Sequence, residues 1–191
     1  MRFLGHLLAA IATALVVGFG LSWYALSSAS IFGTIEIGPW AAWRDAGSPT
    51  PDPYTRAFVS RTGALQLGAS EGLQFVATRD SDGQLLDRAC RYRIDGTTPL
   101  ATFWTLVPTD LDGSPIARPG GPAAFHSARI ARAQDGSMQL YVSRTLSPYN
   151  WLEITGEGSF ALALTLYDTA SFTGVGPTEA TLPSIIREGC P

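Results

Sequence analysis

Arg91 and Arg93, one residue apart, are the polar pair in this chain best suited to holding an anion. Each guanidinium is a planar fork of donors that matches a carboxylate or a phosphate. In Cys90-Arg91-Tyr92-Arg93-Ile94-Asp95 the apolar and polar residues alternate, so both arginines leave the same face of a half-buried strand. That face can line a groove for an anionic ligand. It can equally be a solvated strand face whose charges pair with nearby acids. Trp104, Asn150 and Trp151, with Tyr167, could contact a sugar or a lipid, or could serve as core and loop anchors. Arg91, Arg93, Trp104, Asn150 and Trp151 are the candidate ligand-binding set.

Residues for catalysis are sparser. Paired carboxylates suited to acid–base work are Asp80 with Asp82, Asp110 with Asp112, and Glu153 with Glu157. The first two pairs sit in Asp-x-Asp-Gly turns, where aspartate caps its own backbone. His126 is the single histidine beyond the apolar N-terminal stretch, and no Gly-x-Ser-x-Gly elbow presents a nucleophilic serine. A hydrolase built on this chain would use Asp110, Asp112 and His126, with Arg91 and Arg93 holding an anionic group. All 13 basic residues are arginine, which excludes Schiff-base and P-loop lysine chemistry. Asp110-Leu111-Asp112-Gly113 echoes the start of a calcium loop but lacks the later ligands and the closing glutamate. Two distant cysteines and one histidine make no zinc set. No metal or cofactor is expected. The net charge of −3, without a basic run, leaves no footprint for nucleic acid.

The elements that must position these residues are mostly strands. The chain is 46% hydrophobic and only 15% charged, with 20 glycines and 13 prolines. Short strands joined by many Gly/Pro turns predict a mainly β domain, a sandwich or a barrel. The front is different. Leu7 to Leu26 carries no charge and has the length of a bilayer-spanning helix. Arg2 precedes it, and Trp23 and Tyr24 sit at its distal end, where aromatic rings favour the interface. Ser27-Ser28-Ala29-Ser30 could serve as a cleavage site instead. In both cases the positive end stays inside and the remainder is exported. The division expected is 1–30 anchor or signal, 31–51 linker and 52–191 β domain. The localisation expected is a single pass through a bacterial inner membrane, with the C-terminal domain in the periplasm.

Along the chain, Ile31 to Ile37 can be a short strand, and Trp40 and Trp43 can dock on the domain or rest at the membrane surface. Asp52-Pro53 opens a short helix with Asp52 as N-cap, Gly63 closing it, and Tyr54, Ala57 and Phe58 on its apolar face. Leu73 to Thr78 alternates as a strand. Cys90–Pro108 reads as a pair of strands around a turn at Asp95-Gly96 and Thr98-Pro99, with Leu100–Val107 apolar on nearly both faces. Ser114–Pro122 reads as an irregular loop. Ser127–Arg132 and Met138–Ser143 read as a hairpin around Gln134-Asp135-Gly136. Ser147–Trp151 reads as a loop, Phe160–Tyr167 as a central strand, and Thr173–Pro177 as a Gly/Pro loop. Cys90 and Cys190, both past the membrane segment, are expected to pair as a disulfide in an oxidising compartment; two unpaired thiols are the alternative. The bridge would close a loop of about 100 residues, on the order of 4 kcal/mol.

Phe103-Trp104-Thr105-Leu106, Asp112-Gly113, Asp135-Gly136-Ser137, Asn150-Trp151-Leu152, Phe160 through Tyr167 and Leu182-Pro183 come in an order that resembles the domain of unknown function 1214 family. The resemblance spans about Tyr92 to Arg187, and Gly38-Pro39-Trp40 with Asp52-Pro53-Tyr54 resembles its short, membrane-anchored bacterial members. It implies a jelly-roll-like antiparallel β-sandwich with a short packed helix, preceded by one transmembrane helix. It also implies an envelope location and a possible partner protein with a 1254-type domain. It implies no reaction, so no catalytic residue carries over. The chain departs from the family at Glu153, where members often have proline, and at Val107-Pro108-Thr109-Asp110, where they often have a Tyr-Asp turn.

Overall fold

The computed structural model describes residues 2–27, 34–43, 45–62, 67–68, 71–98, 101–168 and 181–190. Ser28 to Ser30 of the possible cleavage site, Gly63, Pro99 and the loop from Thr173 to Pro177 lie outside them.

Apolar side chains and self-satisfied backbone groups make the front end a single helix, α1 (Arg2–Ser27). Residues Arg2–Tyr24 have a mean hydropathy of 2.0, are unburied, and are long and apolar enough to cross a membrane. The second helix, α2 (Pro53–Thr62), starts as expected. Asp52 Oδ1 accepts hydrogen bonds from the Tyr54 and Thr55 amides, and Oδ2 accepts one from the Thr55 hydroxyl. Phe58 stacks on Trp43 at 4.4 Å, while Arg61 lies over the Trp23 ring at 5.3 Å and so ties α2 to the end of α1. Thr55, not Tyr54, is the fully buried side chain of α2.

Ten strands follow among the described residues: β1 (Thr34–Ile37), β2 (Trp40–Trp43), β3 (Gly72–Ala77), β4 (Arg91–Gly96), β5 (Phe103–Thr109), β6 (Phe125–His126), β7 (Met138–Ser143), β8 (Asn150–Glu153), β9 (Ala161–Tyr167) and β10 (Ser184–Gly189). They form two sheets, ordered β1-β2-β3-β9-β5-β6 and β10-β4-β7-β8. β9 is central: it pairs antiparallel with β3 (Phe75 opposite Leu164) and with β5 (Leu106 opposite Leu164). In the smaller sheet β10 and β4 are antiparallel, β4 and β7 are antiparallel, and β7 and β8 run parallel. The period-two pattern sends Phe75, Tyr92, Ile94, Trp104, Leu106, Leu140, Val142, Leu152, Leu162, Leu164, Leu166 and Ile185 into one core between the sheets.

The mainly β architecture is as the composition predicts, but three connections differ. First, the Cys90–Pro108 segment is not a strand pair. β4 belongs to the smaller sheet and β5 to the larger, so the two do not pair with each other. Second, residues 34–43, inside the stretch read as a linker, form β1 and β2. Trp40 is fully buried and donates its indole N–H to the Pro183 carbonyl at 2.7 Å. Third, Ser127–Arg132 is not a strand. Residues Ser127–Arg129 form a 3-10 turn, and only Arg132 bridges to Met138 around the expected Ala133–Ser137 turn.

Tyr92 gives the core a titratable group. Its ring lies under the Arg187 guanidinium at 5.4 Å, and its oxygen accepts the Asp87 amide at 2.8 Å. Burial pushes the phenol above the ordinary tyrosine range, against the opposing pull of that hydrogen bond and of Arg187. The folded state therefore keeps its proton when the unfolded chain releases it. Stability is whole below about pH 10 and falls as pH rises from there towards the folded pKa. Melting temperature recorded from about pH 9 to about pH 11.5 should fall more steeply for the natural chain than for Tyr92→Phe.

Candidate functional site

The register of the smaller sheet sorts the candidate residues. Ile186 lies opposite Arg93, Arg93 opposite Tyr141, and Tyr141 beside Trp151. These four form one rung on the outer face, and Arg91 follows on the same face two residues along. With strands about 4.8 Å apart, Arg93 and Trp151 are separated by about 10 Å. Arg91, Arg93 and Trp151 therefore share a surface. Trp104 and Asn150 do not: Trp104 is a core residue of β5, and Asn150 faces inward at the start of β8.

Neither arginine is placed like the other. Arg93 Nη1 donates to Asp95 Oδ2 at 2.7 Å, and Glu188 Oε1 lies 3.2 Å from its Nε, off the N–H direction. Arg93 is thus neutralised on two sides. Arg91 has no ion pair among the described residues; its nearest polar partner is the Thr145 hydroxyl at 3.5 Å. It lines an open groove of about 720 Å³ with Ala89, Arg144, Thr145, Glu188 and Gly189. A lining with two guanidiniums and a hydroxyl can offer charge-assisted hydrogen bonds to an oxyanion.

One side of the groove is formed by residues next to the disulfide. Cys90 and Cys190 are bonded, joining the start of β4 to the end of β10, and Ala89, Arg91 and Gly189 adjoin these two cysteines in sequence. The other wall is the turn after β7. Ser143 Oγ donates to the Thr145 carbonyl at 2.7 Å and contacts Ser147 Oγ at 3.2 Å, while Trp151 Nε1 donates to Ser143 Oγ at 3.1 Å. Ser143 and Ser147 are both buried. Trp151 is thus a support for the turn, with its ring edge on the outer face. Arg144 and Thr145 escape sequence reading because they lie past the strand, where alternation ends. The outward series Gln139, Tyr141, Ser143 is the only sequence signal pointing towards them.

Asn150 uses its whole amide on the protein. Oδ1 accepts from the Ala131 amide, and Nδ2 donates to the Ala131 and Gln139 carbonyls, each at 2.8 Å. It staples the 131–132 segment to β7, and the next residue, Arg132, lies 6.0 Å from the Trp104 ring. Asn150→Ala should lower the unfolding free energy by about 2 kcal/mol, measured by urea unfolding, without changing ligand binding in the groove.

The hydrolase set does not assemble. Asp110 spends Oδ1 on the Asp112 and Ser114 amides in its turn. His126 pairs with Thr105, five residues and about 17 Å back along β5. It stands beside Phe103 at 5.6 Å, on the outside of the larger sheet. Arg91 and Arg93 belong to the opposite sheet. Among the described residues no group of acids, histidines or cysteines is arranged to hold a metal ion.

The family model described as "Protein of unknown function (DUF1214)" matches residues 71–171, just over half of the chain. It begins with β3, earlier than the resemblance in the residues suggested, and stops before β10. A crystal structure of the VPA0106 protein from Vibrio parahaemolyticus is similar in fold, with TM-score 0.58 at 19% identity, over 71% of this chain and 35% of that one. A putative uncharacterized protein from Burkholderia cenocepacia aligns with TM-score 0.43 at 16% identity, over 85% of this chain and 38% of the other. The chain therefore spans little more than a third of the length of these neighbours. A comparison with curated proteins found no match.

Proposed function

Because the chain belongs to the DUF1214 family of proteins of unknown function, we propose a role read from its own architecture: a membrane-tethered β-sandwich of the bacterial envelope that docks a partner protein or an envelope ligand and performs no catalysis. The observation that carries this is the joining of an unburied, span-length apolar helix to a sandwich closed by a disulfide. A disulfide persists on the oxidising side of a membrane, and Arg2 at the start of α1 favours an inside N-terminus; both support a periplasmic domain. We take 1–30 as the anchor and begin the sandwich at Thr34, since β1 and β2 are part of its larger sheet. The jelly-roll likeness and a partner with a 1254-type domain belong to this reading, through the family resemblance. The solved neighbour is nearly three times as long as the part it shares with this chain.

The test is cross-linking of the full-length protein in cells, followed by mild detergent extraction. A defined, stoichiometric complex with one exported protein is expected. A protein that is recovered alone and monomeric at every detergent and cross-linker condition overturns the docking role.

A further inference from the structure

We propose that Arg91, Arg144 and Thr145 form a binding site for a phosphate-type oxyanion, at the end of the sandwich away from the membrane tether. The site goes beyond the docking reading above: partner capture can fail while anion binding stands, and the reverse.

Three observations carry it. The first is charge without a counterion. Arg91 and Arg144 both line the groove, and neither forms an ion pair among the described residues. Glu188, the one acid in the lining, is directed to Arg93 at 3.2 Å. Two guanidiniums and a hydroxyl around one opening match an oxyanion with several acceptor oxygens. The second is construction. The groove lies between the residues that flank the Cys90–Cys190 bridge and a turn, Arg144-Thr145, held by Ser143, Ser147 and Trp151. Tyr149, in the same turn, has a φ of 65°, a left-handed conformation uncommon for a residue other than glycine. The third is size. A groove of about 720 Å³ is far larger than a free phosphate and falls in the range of small-molecule sites. The anion it suits is a group on a larger molecule.

The register places the groove. The tether enters the larger sheet at Thr34, opposite Trp43, and the pairing of Ala41 with Val76 puts Trp43 towards the Gly72 end of β3. Gly72 shares its rung with Tyr167 and Phe103. Phe160, at the opposite end of β9, stands 5.7 Å from the ring of Tyr92 near the start of β4, so the Gly96 end of β4 points back towards the Gly72 rung. Arg91 and Gly189 lie at the other end. A soluble or polymer-borne phosphate reaches that end directly. A lipid headgroup of the tethering membrane shares the chemistry but has to be reached by tilting the domain.

The experiment uses the full chain in nanodiscs, with amide shifts of Ala89, Thr145 and Gly189 read by NMR at constant ionic strength. In zwitterionic discs, glycerol phosphate should shift these amides saturably at concentrations up to about 10 mM. R91Q and R144Q should each weaken binding about tenfold, and the double variant should lose it, with melting temperatures unchanged because neither arginine supports the core. Discs containing phosphatidylglycerol separate the sources. Shifts present there before any soluble phosphate is added, and absent in the double variant, assign the site to a headgroup; shifts only with glycerol phosphate assign it to a soluble or polymer-borne group. No saturable shift in either disc, or shifts that survive in the double variant, overturns the site.

Discussion

Removing the disulfide, as Cys90→Ser with Cys190→Ser, should lower the unfolding free energy by about 4–5 kcal/mol and the melting temperature by about 10–15 °C. The size follows from the 100-residue separation of the two cysteines. A cross-link over so long a loop removes much conformational freedom from the unfolded chain, which stabilises the fold without any added native contact. The native side adds to the loss. Cys90 is buried, so a serine there puts an uncompensated hydroxyl into the core. The change is local as well as global. β10 is an edge strand whose only strand partner among the described residues is β4, with a register shift between Arg187 and Gly189. Without the bridge its last residues should fray, and hydrogen exchange at Ile186, Arg187 and Glu188 should rise before that of β4. Reversible thermal unfolding of the oxidised and double-serine proteins measures the first effect. A difference under about 2 °C would show that the pairing of β10 with β4 already supplies the constraint.

The same bridge shows what could be read in advance. Its two cysteines are the only ones in the chain and lie past an apolar helix, so their pairing follows from counting. Strands with one wet face were also legible: β3 and β7 alternate, and β9 is a bare apolar run bounded by turns. Sheet membership was not. β4 and β5 each look like strands locally, but whether they pair depends on β9 and β7, which lie far along the sequence. β8 hides in Ser147-Pro148-Tyr149-Asn150-Trp151-Leu152-Glu153, where turn residues mask a four-residue strand that Asn150 helps to fix. Trp40 and Trp43 lie in the stretch read as a linker, with docking on the domain as one of two expected outcomes; the fold makes them the ends of β2, and Gly38-Pro39 is the turn of the β1–β2 pair.

The candidate site divides along the same line. Period two correctly put Arg91 and Arg93 on a common face, because one side of β4 is plainly polar. It could not separate a neutralised arginine from an unpaired one, since Glu188 and Arg144 come from other parts of the chain. In β5 both faces carry apolar or aromatic groups, so the pattern did not say whether Trp104 looks in or out. Asn150 carries a polar side chain that sequence reading offers to a ligand and the fold spends entirely on its own backbone.

Asp80→Ala should cost about 3–5 kcal/mol, comparable to the disulfide, although the residue sits in a surface turn. Only 2% of Asp80 is exposed. Oδ1 accepts the Asp82 and Gln84 amides at 3.1 and 2.8 Å, and Oδ2 meets Arg187 Nε at 2.9 Å. Arg187 also donates to the Leu85 carbonyl at 2.5 Å and covers the Tyr92 ring. The pair fastens the 80–85 turn to β10, beside the hydrogen bonds between Ser81 and Ile185. Removing the carboxylate leaves a guanidinium over the core without its counter-charge and orphans two turn amides, so the loss exceeds the net worth of the pair. Asp80→Asn keeps an acceptor for the amides and should lose less. Arg187→Ala removes the stranded charge, so the double variant should be more stable than the sum of the single losses predicts, with a coupling of about 2 kcal/mol. Urea unfolding of the four proteins closes this cycle. Strict additivity would mean that Asp80 acts through its turn alone and that Arg187 is held by Leu85 and Tyr92.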